Sequence, residues 1–478
     1  MTAASVFFVT CVTGIGALLV GLVTVMLPVV AGDVGLEDDL LLWPASIYAL
    51  ICGCALLLSG SVADVIGVRT MYLLGCFLQS VFTMACGLPQ DGLQLILFRA
   101  LAGIAISFCL PSSVGIITNT FPPGKRRNVA FAAMGGGQPI GFSIGLTVGG
   151  FSADGIGWEW GFHMAAIFNT IIFVVAWWGM PKNIGKPAPV TWDRFLHHID
   201  WVGAIIASAS LGMMSYVFVV LTGRTSSIKD SSTIALLVTS ICLIPAFVFW
   251  VGRQERIKKP ALILNSFWRN RVFTTICLNV FMTWGTFNAI ENLLTFYFQE
   301  VQHLSASRSS LLFLATPISG AITNIFMGAI VHRVRADALV LASTVLSCAW
   351  PALMAVAESG CSYSASPFPG LLLIPVAADA LFTVANLLIT SVLDSRTQGL
   401  AGGVFNTVAQ VGKSVGLATS AVIASSAAAD GAQGEDQAMS LLEGYRAAFW
   451  YCLALNAVTV AVSIWGLRRI GRVGVKRD

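Results

Sequence analysis

A chain of 478 residues with 56% hydrophobic and only 10% charged side chains cannot coat a soluble fold, because soluble domains carry about 25% charged residues. A formal net charge of +4 is too small to argue for a nucleic-acid partner, and none is expected. Of the 11 cysteines only Cys361 falls in an expected outer loop, so no disulfide framework is expected. With no His beside Cys52 and Cys54, no metal site is expected either.

The first apolar stretch, 7–31, has no basic flank and reads as a retained helix rather than a cleaved leader. Thirteen more follow, at 41–62, 71–88, 93–117, 129–153, 160–180, 201–222, 233–252, 273–298, 309–331, 337–357, 370–392, 401–427 and 446–467. Each is close to the length of about 20 residues that crosses a bilayer core. Fourteen spans put both termini on one side. With that side cytoplasmic, 21 of the 27 Lys and Arg residues lie on inner segments, and only Arg224, Lys229, Arg308 and Arg446 lie outside, the asymmetry the positive-inside rule describes. The fold class is therefore an all-α polytopic membrane protein, expected to be a monomer in a lipid bilayer. Residues 1–180 read as six helices, 181–200 as a cytoplasmic linker and 201–252 as two inserted helices. A second linker follows at 253–272, then six helices and a short cytoplasmic tail at 273–478.

Several segments carry more than hydropathy. The loop after the second stretch holds Gly60, Asp64, Gly67 and Arg69. There an acid at a helix end can latch onto cations of a neighbour while the glycines allow close approach. The fourth stretch contains Arg99, which in lipid needs a partner or a water-filled cavity, or else snorkels to the near outer surface. The fifth carries Gly137, Pro139, Gly141, Gly145, Gly149 and Gly150; small residues spaced by four let two helix backbones pack closely. Asp200-Trp-Val-Gly203 opens the seventh stretch, and Gln398-Gly-Leu-Ala-Gly402-Gly403 opens the thirteenth.

In order and spacing these segments resemble the major facilitator superfamily. Within it they are similar to the fourteen-spanner drug:proton antiporters, including fungal aminotriazole-resistance-type and secondary-metabolite efflux pumps. The resemblance implies two six-helix bundles with two extra central helices, and a cavity lined by helices 1, 4, 9 and 12. It also implies a gating motif at Gly60, Asp64, Gly67 and Arg69, and an antiporter motif at Gly141, Gly145, Gly149 and Gly150. The chain departs from the pattern at Val65 and Val68, where basic residues are usual, and at Leu146, where Pro is usual. The middle of its first helix has no Asp.

Four charges lie inside the stretches: Arg99, Glu291, Asp379 and Lys413. Intramembrane charges are functional candidates by default. Glu291 and Asp379 lie about 7 and about 9 residues from the outer ends of their helices, roughly 10 and 13 Å at 1.5 Å per residue. A carboxyl whose charge is opposed by low-dielectric surroundings and favoured by a nearby cation can take up and release a proton. Asp379, then Glu291, are the candidate proton carriers; the alternative is an interfacial acid reaching outer water. Lys413 reads as a counter-ion or substrate contact, or as half of a structural ion pair. Arg99, Trp284, Asn288, Phe382, Asn406 and Gln410 are candidate cavity residues, with Phe281, Phe287, Phe296, Tyr297, Asn386 and Phe405 beside them. Such a mix suits a medium-sized organic molecule with an apolar body.

The expected function is secondary active transport: proton-coupled efflux of a drug, toxin or secondary metabolite by alternating access. The proton gradient is the energy source, with no cofactor. The missing Pro at position 146 leaves open uptake or facilitative movement of a small solute such as ammonium or borate. An enzyme is not expected, since His163, His197, His198, His303 and His332 lie at stretch ends or in loops. No Walker sequence for ATP occurs. The plasma membrane is the expected site, with a vacuolar or other endomembrane location as the alternative.

Overall fold

A computed structural model describes residues 2–37, 40–122, 125–181, 184, 199–223, 230–331, 333–357, 363, 366–392, 398–431 and 437–468. No strand occurs among them. The spans are α1 (Thr2–Asp33), α2 (Trp43–Ile66), α3 (Val68–Ala85), α4 (Gly92–Thr120), α5 (Lys125–Asp154), α6 (Trp158–Gly179) and α7 (Trp201–Gly223). They continue with α8 (Ser231–Arg256), α9 (Arg271–Phe296), α10 (Ala306–Phe313 and Ala315–Ile330, broken at Leu314), α11 (Ala336–Ala355), α12 (Pro367–Val392), α13 (Gln398–Gly431) and α14 (Gln437–Gly466). Boundaries follow the hydropathy reading within a few residues, except that α14 begins at Gln437 rather than near 446.

Local chemistry sets the breaks. Gly67, at φ 106°, turns α2 into α3, and Gly157, at φ 101°, turns α5 into α6; both angles favour a residue without Cβ. The Asp91 side chain caps α4 by accepting Gln94 N–H at 2.8 Å, and Asn270 caps α9 through Val272 and Phe273.

Among the described residues, eleven spans are long and apolar enough to cross a membrane on hydropathy alone. Three are not among them: α7, whose apolar part Trp201–Met214 is shorter, and α9 and α13. Helix α9 carries Asn279, Asn288, Glu291 and Asn292, and α13 carries Gln410 and Lys413. Burial resolves the difference: Asn279, Asn288, Glu291 and Asn292 are all buried. Helices α9 and α13 score low on hydropathy because their polar residues are buried in protein or, as with Gln410 and Lys413, line an interior cavity rather than lipid.

Two close helix pairs organise the packing. Helix α1 lies along α5, and α9 lies along α13. Around them α2, α3, α4 and α6 pack together, as do α10, α11, α12 and α14. Helices α7 and α8 pack on each other, and α7 also touches α2 and α13. Asp200 ties this pair to the segment between α8 and α9. It accepts Gly203 N–H at 2.9 Å, Trp250 Nε1–H at 2.9 Å and Leu262 N–H at 3.2 Å.

On the face away from the termini, one apolar core joins residues of α1, such as Leu22, Val25 and Met26, to Leu293, Leu294 and Phe298 of the α9 segment. Nearer the termini, a separate core gathers Phe273, Ile276, Val280, Met327, Val340, Leu381 and Phe405, joined by Leu57 of α2.

Candidate functional site

A cavity of about 140 Å³ lies at mid-depth among α1, α2, α4, α5, α9, α10, α12 and α13. That is close to the volume of an engineered protein cavity that takes one benzene. A medium-sized cargo therefore requires the walls to part. One wall carries Trp284, Phe287, Asn288 and Glu291 of α9 with Phe405, Asn406, Gln410 and Lys413 of α13. Another carries Thr316, Pro317, Gly320 and Asn324 of α10 with Pro375, Ala378, Asp379 and Phe382 of α12. Thr13, Gly16, Ala17 and Val20 of α1, Tyr48 and Cys52 of α2, Ile106 and Leu110 of α4, Gly135, Gln138, Pro139 and Phe142 of α5, and Ala409 of α13 complete it.

Lys413 and Glu291 share one pole. The Lys413 Nζ sits 4.4 Å from the centroid of the Trp284 ring, a cation–π contact. Asn288 donates to the Lys413 backbone carbonyl at 3.2 Å, tying α9 to α13 at this level. Glu291 is 1% exposed, and its Oε1 has no hydrogen-bond partner among the described residues. It acts on Lys413 through space. Trp284 Nε1 and Tyr48 Oη are likewise buried without partners among the described residues. Buried polar atoms left unpaired are costly, so Glu291, Trp284 and Tyr48 offer the cavity hydrogen-bonding groups not used within the fold.

Asp379 forms the other pole. Asn324 of α10 hydrogen-bonds its carboxyl. The carboxylate leans so far toward α10 that a Cβ at Gly320 would stand 2.8 Å from Oδ2. Pro139 and Pro375 lie on the wall; each lacks an N–H and so frees a carbonyl one turn back. Aromatic pairs line both sides, Trp284–Phe287 with centroids 5.4 Å apart and Phe382–Phe405 at 5.9 Å.

The structure brings together Glu291, Asp379, Lys413, Trp284, Asn288, Phe382, Asn406 and Gln410. It does not place Arg99 with them. Arg99 is 1% exposed and lines a small apolar space with Val23, Met26, Leu27, Val30, Pro44, Leu95 and Phe162. Its Nε donates to Pro44 O at 3.0 Å, and its guanidinium lies 4.5 Å from the Tyr48 ring centroid. It is neither a snorkelling residue nor a cavity residue: it backs Tyr48, which is. Phe281, Phe296 and Tyr297 also lie off the cavity wall, and the side chain of Asn386 is outside those described. Tyr48, Asn324 and Gly320 were not legible as site residues, since none carries a charge or belongs to a motif.

The two glycine motifs resolve differently. Asp64 is exposed. Arg69 donates to Trp177 O at 3.0 Å and Met180 O at 3.3 Å, closing the end of α6 rather than pairing with Asp64. Gly60 lies against Pro111 of α4, where a Cβ would stand 3.6 Å away. On α5, Gly137, Gly141, Gly145 and Gly149 face the carbonyls of Thr10, Gly14, Leu18 and Leu22 of α1 in turn. A Cβ at Gly149 would stand 2.7 Å from Leu22 O. Gly150 faces the other way, toward Ala306 and Ser310 of α10. The α9–α13 pair repeats the device, with Gly412 against Phe281 O and Gly416 against Gly285.

The family model described as Major Facilitator Superfamily matches residues 6–417. The chain belongs to the major facilitator superfamily. It is 39% identical to MFS-type transporter 1 of Pyricularia oryzae, over 95% of this chain and 82% of that protein. It is 24% identical to the aminotriazole resistance protein of Saccharomyces cerevisiae, over 91% and 78%. To the low affinity ammonium transporter of the same yeast it is 23% identical, over 88% and 79%. Among solved structures, a bacterial homologue of the human lysosomal transporter Spinster, inward-facing and unoccupied, superposes with a TM-score of 0.64. It does so at 14% identity, over 98% of this chain and 97% of that one. This major facilitator chain is thus a multi-pass membrane transporter, not an enzyme.

Proposed function

We propose that this transporter is a proton-coupled exporter of small organic compounds, with its termini in the cytoplasm. The observation that carries the reading is the pair of carboxyls, Glu291 and Asp379, on different walls of one central cavity, with Lys413 beside one of them. A carrier alternates access around a site near the interface of its repeats, so carboxyls there meet the two waters in turn. If proton and cargo exclude one another at the site, inward proton flow drives cargo out. The apolar and aromatic walls favour an organic body, and the similarity to an aminotriazole resistance protein agrees with export. The plasma membrane is the site at which such export clears the cell.

The test is transport in proteoliposomes under an imposed pH gradient. Asp379→Asn mimics the protonated form at nearly constant size; it is expected to lose gradient-driven transport while retaining downhill exchange. Glu291→Gln is expected to show the same effect more weakly. Wild-type rates in both variants would sink the coupling. The similarity to a low affinity ammonium transporter favours a second reading, facilitative movement of a small solute. In that case neither variant nor the gradient changes the rate.

A further inference from the structure

We propose that Asp154, the last residue of α5, is the latch that holds the molecule shut on the face away from the termini. The inference rests on the alternating-access reading above. Asp154 ends the fifth span, and α10 lies across the seam among the last six. Asp154 Oδ1 accepts the N–H of Ala306 at 3.3 Å, and Oδ2 the N–H of Ser307 at 2.7 Å. The Ser305 hydroxyl also hydrogen-bonds this carboxylate. The first N–H groups of any helix have no partner within it; in α10 those of Ala306 and Ser307 take theirs from α5, while Arg308 N–H is capped by the Ser305 hydroxyl. A carboxylate at that end is further favoured by the helix dipole, and its bonds are charge-assisted.

Two neighbouring contacts complete the seam. Ser307 Oγ donates to Gly150 O at 3.1 Å, and a Cβ at Gly150 would stand 2.7 Å from that of Ser310. The π-turn Tyr297–Val301 at the end of α9 carries Gln299 to α1, where its Nε2 donates to Val25 O at 2.8 Å. The consecutive glycines of the α5 motif therefore divide their work. Gly149 lets α5 pack on α1, and Gly150 lets it meet α10 across the seam. Polar contacts at helix ends suit a gate, because water replaces each bond when the seam parts and the net cost of opening stays small.

Hydrogen–deuterium exchange of the full chain in lipid nanodiscs tests the latch. Asp154→Ala removes all the bonds to the carboxylate and is expected to speed exchange by at least about ten-fold, the size of losing one charge-assisted bond. The change should appear at the start of α10 and also in the segments around Val25 and Gln299, which Asp154 does not touch. Asp154→Asn keeps an acceptor oxygen and should fall between; Ser307→Ala, which spares the backbone bonds, should give a smaller change of the same pattern. Exchange that is unchanged, or faster only at residues 305–308, would mean a local helix cap and overturn the latch. Gradient-driven transport by the unaltered chain is measured in parallel. If Asp154→Ala spreads the exchange while the unaltered chain moves nothing under a gradient, the latch stands and the transport reading falls.

Discussion

At the scale of single residues, the intramembrane charges separate into two kinds. Lys413, Glu291 and Asp379 face the cavity, whereas Arg99 is engaged by the Pro44 carbonyl and the Tyr48 ring. Arg99→Leu should therefore lower stability by about 1.5–3 kcal/mol, the range for a hydrogen bond to a charged group. Thermal unfolding of the purified protein would show it, while gradient coupling through Asp379 persists; an unchanged melting temperature with lost coupling would reverse the assignment. Gly320→Ala should do the opposite. The methyl is crowded by the free end of the Asp379 side chain, at 2.8 Å, and meets Pro375 at an ordinary 3.5 Å, so the carboxylate moves and the fold does not. Transport should drop about ten-fold, since misplacing a working group by about 1 Å costs up to 10²-fold, with melting unchanged. The charges at 291, 379 and 413 could be read from the sequence because lipid tolerates so few of them. Their neighbours Tyr48, Asn324 and Gly320 could not, because a phenol, an amide and a missing side chain acquire meaning only through what they face.

At the scale of elements, two helix pairs cross with their backbones nearly touching, α1 with α5 and α9 with α13. Half of this was legible. The α5 glycines recur every fourth residue, which marks one helix face. The α9–α13 contact draws on Gly285 from one helix and on Gly412 and Gly416 from the other, so α9 shows no run and α13 a single spacing of four, far weaker than the four-fold repeat of α5. The same blindness affected hydropathy: α9 and α13 look too polar to span because their polar atoms point inward. Gly145→Val and Gly416→Val should act alike. Each would drive a branched side chain into a facing backbone, Leu18 or Gly285, which cannot give way. Transport should fall by at least ten-fold in both while the protein still reaches the membrane, as judged by rate per inserted molecule. Full activity of Gly416→Val would mean that the second pair is ordinary packing.

At the scale of the whole molecule, the fourteen helical stretches could be marked in the sequence and their sides expected from charge, but not the conformation. Which face is shut depends on contacts between segments far apart in sequence, such as Asp154 with Ser307 and Val25 with Gln299. These contacts cluster away from the termini. If the positive-inside argument places the termini in the cytoplasm, the resting molecule is closed toward the outside, and a reagent should reach the cavity from within. Position 409 is a suitable probe, since Ala409 lines the cavity and is 7% exposed. With the native cysteines replaced, Ala409→Cys should react with a membrane-impermeant thiol reagent in inside-out vesicles and be protected in right-side-out ones. A cysteine in segment 181–200 fixes orientation independently and should follow the same pattern, while one at Arg308 should follow the reverse. Should the 181–200 probe react from outside, the topology is wrong. Should that probe react from inside while position 409 reacts only from outside, the topology stands, and it is the Asp154 seam that does not govern the resting state.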